Sequence, residues 1–293
     1  MNNKLIDLHS HTTYSDGELT PQELIYLAID SNIGMLAITD HDTLNGVKNI
    51  NREDKKIKES KIQIIDGIEL TAYVEKGLMH ILGINIDKNN KELNEQMDRL
   101  RNNSISRMKS YLEQMKKDYE IEFKEEDITE LLNSSHNIGR PDLAKLCIKY
   151  GYVKSVKEAF DKYLVDVYNK TKTTSNRLLY KECIELINKA NGIPVLAHPK
   201  SLELEEQELD LLLRDMIECG LKGIEVYHSS HSNEERELFL KLANKYNLLI
   251  SGGSDYHGPI TKPHISLGTG ENNNLNIKEL SLVKYITKDK FML

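Results

Sequence analysis

Cysteine is scarce in this chain: Cys147, Cys183 and Cys219 are the three among 293 residues, and they lie far apart. That spacing excludes a disulfide framework and a C-x-x-C zinc site, and leaves small hydrophobes in helices as their reading. Long apolar runs are missing too. None approaches the roughly 20 residues that span a bilayer, and the opening M-N-N-K-L-I-D-L-H lacks the apolar core of a signal peptide. A cytoplasmic location with no membrane partner is expected. Positive charge is also in deficit, with 39 Lys and Arg against 46 Asp and Glu and a formal net charge of −7. No global field therefore draws in duplex DNA or a long RNA. A small phosphorylated ligand stays open, because bound divalent cations invert the sign of a cleft locally. Clusters such as Lys116-Lys117 and Lys170 to Lys172 read as solvated faces. No internal repeat, low-complexity tract or segment that demands a protein partner stands out.

Against these absences stands a concentration of imidazole and carboxylate. The stretch Ile6 to Asp16, I-D-L-H-S-H-T-T-Y-S-D, reads as a strand ending in His9 and His11. Residues two apart on an extended backbone point to the same side, so both imidazoles can reach one metal ion. A single histidine on a strand is ordinarily a satisfied polar residue. Here the arrangement recurs, at Thr39-Asp40-His41, at Gly67-Ile68-Glu69 and at Ser254-Asp255-Tyr256-His257.

The elements between these points alternate. Thr20 caps a helix from about Pro21 to Asn32, and a strand Met35 to Thr39 follows. Next come a Lys-rich helix near Val47 to Glu59, a strand Ile62 to Ile65 with a turn before Glu69, and a strand Leu78 to Ile84 carrying His80. From about Asn90 the pattern changes. Leu93, Met97, Leu100, Ile105, Met108, Leu112 and Met115 predict one long helix to Tyr119, with a candidate break near Ser104. Shorter helices follow at Glu125 to Leu132, Arg140 to Tyr150 and Ser155 to Lys162. Residues 91–179 thus read as a helical cap or insert on a core made of 1–90 and 180–293. In that second part, strands Ile193 to Ala197, Gly223 to Tyr227 and Leu248 to Ser251 lead to His198, His228 and the Asp255-His257 pair. The order predicts an α/β barrel or parallel sheet with a helical insertion, whose strand ends share the face where the donors fall.

His9, His11, Asp16, His41, Glu69, His80, His198, Asp255 and His257 are too many donors for one ion. A site of two or three divalent metals would use them, with Glu69 bridging through its two oxygens. Nitrogen and oxygen ligation without thiolate suits manganese, iron or zinc, and affinity order alone does not choose among them; manganese is the first expectation. The expected chemistry is in-line hydrolysis of a phosphate ester by a metal-held hydroxide beside Glu69, Asp255, His257 and His198.

Taken together, D-L-H-S-H-T-x-x-S-D-G, I-T-D-H-D, G-I-E, A-H-P and G-G-S-D-x-H resemble the polymerase and histidinol phosphatase (PHP) family over nearly the whole chain. The resemblance implies a distorted (βα)7 barrel with a trinuclear centre. By the family pattern His9, His11, Glu69 and Asp255 hold the first ion, Glu69, His80 and His198 the second, and Asp16, His41 and His257 the third. The helical insert followed by N-I-G-R-P and K-S-V-K-E-A-F-D-K-Y-L resembles the branch that removes the 3′-phosphate from 3′,5′-nucleoside bisphosphates. Some members of that branch trim short RNA from its 5′ end. The resemblance makes Arg140 a phosphate ligand, while Asp142 stands where the branch often has His. That change removes a phosphate donor and adds a negative charge.

The residues themselves add His228, His231 and Lys200 as candidates for substrate contact. His136 and His264 read as solvated, and Asp7, Asp40 and Asp42 as groups that orient imidazoles. Two other functions fit the sequence. One is a histidinol-phosphate or other small-molecule phosphatase, which would share the metals and differ in the pocket lining. The other is a non-catalytic, metal-stabilised module.

Overall fold

Seven apolar runs pair into one sheet whose spatial order is their order along the chain. They are β1 (Leu5–Asp7), β2 (Ile33–Ile38), β3 (Gln63–Ala72), β4 (Met79–Ile84), β5 (Ile193–Leu196), β6 (Gly223–His228) and β7 (Leu249–Gly253). The computed structural model describes residues 4–134, 137–171 and 177–289, so His136 and Lys172 lie outside the described residues. Just past β1, the Leu8 amide donates to the Gly252 carbonyl at 3.1 Å and the Asp255 amide to the His9 carbonyl at 2.9 Å. These bonds join the first strand to the last, and the sheet is barrel-like. Gly253 permits the approach, because a Cβ there would stand 2.4 Å from the His9 nitrogen.

Two features differ from the sequence expectation. β3 continues unbroken through Glu69, with no turn before it. β4 runs antiparallel to both β3 and β5. His80, carried within the strand as the sequence indicates, is the second residue of β4. Because β4 is reversed, its beginning lies with the C-terminal ends of its neighbours, Thr71 pairing with His80 and Ile81 with Leu196. The donor still arrives on the same side.

The chain divides into two compact units, Met1–Glu95 with Arg177–Leu293, and Gln96–Asn176. In the first, one buried cluster draws Ile6 from β1, Met35 and Ala37 from β2, Ile65 from β3, Leu82 and Ile84 from β4, and Ile193 and Val195 from β5. Tyr227 of β6 and Leu249 and Ile250 of β7 pack against it. β2, β4 and β5 give alternate residues to this core, as a period of two requires. The helix Pro21–Asp30 begins in a capping box: the Thr20 hydroxyl accepts from the Glu23 amide and the Glu23 carboxylate from the Thr20 amide. The Lys-rich segment forms two short helices, Asn45–Lys48 and Lys55–Ser60, rather than one.

The second unit is helical. Lys91–Tyr119, within which the division falls, is a single helix with no break at Ser104, whose hydroxyl donates back to the Arg101 carbonyl. Met108, Met115, Leu143, Cys147, Leu164 and Val167 belong to the unit's buried core. The predicted helix from Ser155 is longer than expected, passing through a π-helical turn at Phe160–Leu164 into Val165–Lys170. Among the described residues no helix is long and apolar enough to cross a membrane.

Candidate metal centre

The strand ends set the backbone of the site. Asp42, His198 and Asp255 follow β2, β5 and β7 with φ of 50°, 23° and 56°. Non-glycine residues in that left-handed region carry strain of about 1 to 3 kcal/mol each, which persists where the surroundings enforce it. Asp7 and Asp40 supply part of the enforcement. Asp7 accepts from the amides of His9, Ser254 and Gly268, tying β1 to the loop after β7. Asp40 accepts from the Thr12 amide and hydroxyl and from the Ser15 hydroxyl. Asp42 accepts from the Thr71 amide. These bonds fix the backbone that carries the imidazoles.

All nine predicted donors converge. Glu69, fully buried, splits its oxygens: Oε2 lies 3.0 Å from His9 Nε2, 3.1 Å from His11 Nε2 and 3.3 Å from His41 Nδ1. Oε1 lies 2.9 Å from His80 Nδ1 and 3.0 Å from His198 Nε2. Asp255 Oδ1 stands 3.2 Å from His11 Nε2, 3.4 Å from His257 Nδ1 and 3.5 Å from His9 Nε2. Asp16 Oδ1 is 3.2 Å from His257 Nε2, and Oδ2 is 4.0 Å from His41 Nε2. Among the described residues four sets have donor atoms within 4.8 Å of one another: His9, His11, Glu69 and Asp255; His11, Asp16, His41 and His257; His41, Glu69 and His80; and His9, Glu225 and His228.

Two ring nitrogens of this cage are under-used as hydrogen-bonding groups. His11 Nε2 and His41 Nδ1 are buried and close to Glu69, yet neither is aligned for a hydrogen bond. Ring nitrogens set between neighbouring oxygens in this way suit a shared cation. Electrostatics divides the rings. Burial pushes the His41 ring down to about 3, whereas at His11 burial is overcome by Asp255 and Glu69, which push it up to about 10. At Glu69 and Asp255 burial is likewise outweighed, by surrounding imidazoles, and both carboxyls sit well below their ordinary range. The cage holds ionised carboxylates and rings that compete for protons, an arrangement divalent metal ions resolve.

Glu225, passed over in the sequence, completes it. This acid of β6 is fully buried, with Oε1 3.0 Å from His9 Nδ1 and Oε2 accepting from the His198 amide at 2.8 Å. With His9 Nδ1–H donated to Glu225, His9 presents the Nε2 lone pair to the cage. Burial opposes its ionisation, but His9 and His228 bring its carboxyl down to about 2. The sequence signal was slight: one charged residue inside the otherwise apolar run G-I-E-V-Y. Lys262 was missed too; its Nζ lies 2.6 Å from Asp255 Oδ2.

The expected substrate contacts fare unevenly. His228 is buried beside the cage, its Nε2 3.3 Å from Asp255 Oδ2. The Ser230 amide donates to its Nδ1, so the His228 proton belongs on Nε2. His231 is buried one step further out, its Nδ1–H donated to the Val226 carbonyl at 2.9 Å and its ring 5.1 Å from that of His228. Lys200 is exposed and engaged by the Ser230 carbonyl and by Glu235. Arg140 belongs to the second unit, where its guanidinium lies over the rings of Tyr168 at 4.4 Å and Phe160 at 5.3 Å. Asp142 accepts from the Gly139 amide at 2.8 Å and so caps the helix Arg140–Lys149. His264 is exposed.

Comparison with known proteins follows this geometry. The family model described as PHP domain matches residues 7–200. The chain is 31% identical over 268 residues to the 5′-3′ exoribonuclease Rnm of Escherichia coli (strain K12), covering 90% of this chain and 88% of the relative. It is 28% identical over 266 residues to a phosphoribosyl 1,2-cyclic phosphate 1,2-diphosphodiesterase of Eggerthella lenta, covering 88% and 97%. With a 3′,5′-nucleoside bisphosphate phosphatase of Chromobacterium violaceum it shares 29% over 258 residues, 87% of each chain. A crystal structure from Bifidobacterium adolescentis, assigned as a metal-dependent phosphoesterase, superposes with a TM-score of 0.74 at 27% identity, covering 97% of this chain and 96% of the other.

Proposed function

The chain belongs to the PHP domain family and is a metal-dependent phosphoesterase, and from that premise we propose that it removes the 3′-phosphate from 3′,5′-nucleoside bisphosphates. The observation that carries this reading is the split of Glu69 between two sets of imidazoles, which suits a carboxylate shared by neighbouring ions. His9, His11, Glu69 and Asp255 would hold one ion, Glu69, His80 and His198 a second, and Asp16, His41 and His257 a third, with manganese the first choice. Bound there, such ions supply Lewis acidity to a phosphoryl oxygen and lower the pKa of water. The chain's own residues do the rest. Glu225 and the Asp255 carbonyl hold the Nδ1 protons of His9 and His257, leaving each Nε2 free to bind. His228 holds a proton on Nε2 at the edge of the cage.

Two of the three relatives named above are described as acting on nucleotides or RNA, which supports a nucleotide over an amino-alcohol phosphate. The third favours a second reading, a cyclic ribose phosphodiester. Phosphate release from 3′-phosphoadenosine 5′-phosphate by the manganese-loaded protein is the test. It is run beside a 5′-phosphorylated oligonucleotide, a ribose cyclic phosphate and histidinol phosphate. The bisphosphate is expected to be turned over fastest; a preference for either of the last two reverses the assignment.

A further inference from the structure

Lys262 places an ammonium on the cage where no motif announced one. Its Nζ meets Asp255 Oδ2 at 2.6 Å, on the oxygen opposite the one facing His9, His11 and His257, and its side chain is 34% exposed. The segment that delivers it is fixed at both ends. Glu18 accepts from the Ile260 amide at 2.9 and 3.1 Å through its two oxygens, and from the Thr261 amide. The Lys262 amide donates to the Gly258 carbonyl and its carbonyl accepts from Ile265, each at 3.0 Å. Gly258, at φ 117°, lets Glu18 lie against the turn, since a Cβ there would meet the Glu18 Cβ at 2.6 Å. Lys200, which the sequence offered for anion binding, is engaged by Glu235.

We propose that Lys262 contacts the phosphate of the substrate at this site. The inference rests on the phosphoesterase reading above. Asp255 holds Lys262 strongly only while its charge is uncompensated. A divalent ion on the carboxylate weakens that attraction, and a flexible stem with three donors is then available to an anion arriving at the same edge. The fixed backbone keeps the ammonium within reach of that edge, so little ordering cost remains.

Binding of inorganic phosphate to the manganese-loaded full chain, measured by calorimetry alongside bound metal, tests this. Lys262→Met is expected to weaken phosphate binding about tenfold or more with the metal content unchanged, and Lys262→Arg to stay within about threefold of wild type. Equal phosphate affinity in wild type and Lys262→Met overturns the inference alone. So does a loss of bound manganese in Lys262→Met, because it would assign the lysine to holding Asp255. Failure of the wild type to bind phosphate overturns the inference and the phosphoesterase reading together. Should Lys262→Met fold poorly by circular dichroism, Lys262→Gln takes its place under the same criteria.

Discussion

The two units of the chain differ in what they bury. In the first, His9, His11, Glu69 and Glu225 are completely buried and Asp255 and His257 nearly so. In the second, the ion pairs Lys157–Asp161, Lys162–Glu158 and Lys170–Asp118 lie on the surface, around a core that includes Met108, Leu143, Cys147 and Leu164. Burying a charge costs several kcal/mol unless a partner compensates it, whereas exposed pairs contribute little. The first unit therefore carries a cost that its own fold does not require. The difference marks which interior is kept for chemistry and which for stability.

The sharpest way to break this contrast is Glu69→Gln. Its carboxylate lies against five imidazoles, and removing one charge at that point should lower phosphate release about a thousandfold, ~4 kcal/mol of barrier. Steady-state kinetics at saturating manganese checks it. The matching change in the other unit is Leu143→Ala, which truncates a side chain with no exposed surface. A loss of about 2 to 5 kcal/mol in denaturant unfolding is expected, with manganese affinity unchanged.

A smaller effect concerns pH. Burial pushes the His231 ring from its ordinary 6.5 down to about 4, so the fold favours the neutral ring. The unfolded chain takes up the proton first as pH falls. Stability is complete above 6.5 and declines between 6.5 and 4, by at most about 3 kcal/mol from this group. In His231→Gln, unfolding curves across that window should be flatter. Smallest is Glu225→Gln, which keeps the shape but not the charge behind His9. Manganese affinity should fall about 10- to 100-fold, read by calorimetry.

What the sequence made legible follows from period and position. His9 and His11 alternate on an extended run, and Asp255 and His257 follow another, so their convergence could be read from a fold that gathers strand ends. The direction of β4 could not be read. Thr71 and His80 pair across a short connection, and an antiparallel strand has the same apolar pattern as a parallel one. Glu225 and Lys262 were hidden for a different reason. Glu225 acquires its role from His9, 216 residues away, and Lys262 from the bend that returns it to Asp255. Neither contact leaves a spacing. Arg140 was legible through a motif, and within its own unit its guanidinium lies over Tyr168 and Phe160.

The central claim is that the buried charge of the first unit is a cage for more than one divalent ion. Calorimetric titration of chelator-treated protein with manganese, with bound metal counted by elemental analysis, tests it most directly. Two or three ions per chain in the wild type, falling in Glu69→Gln, is the expected result. No binding, or a single ion held equally well by both proteins, would contradict it.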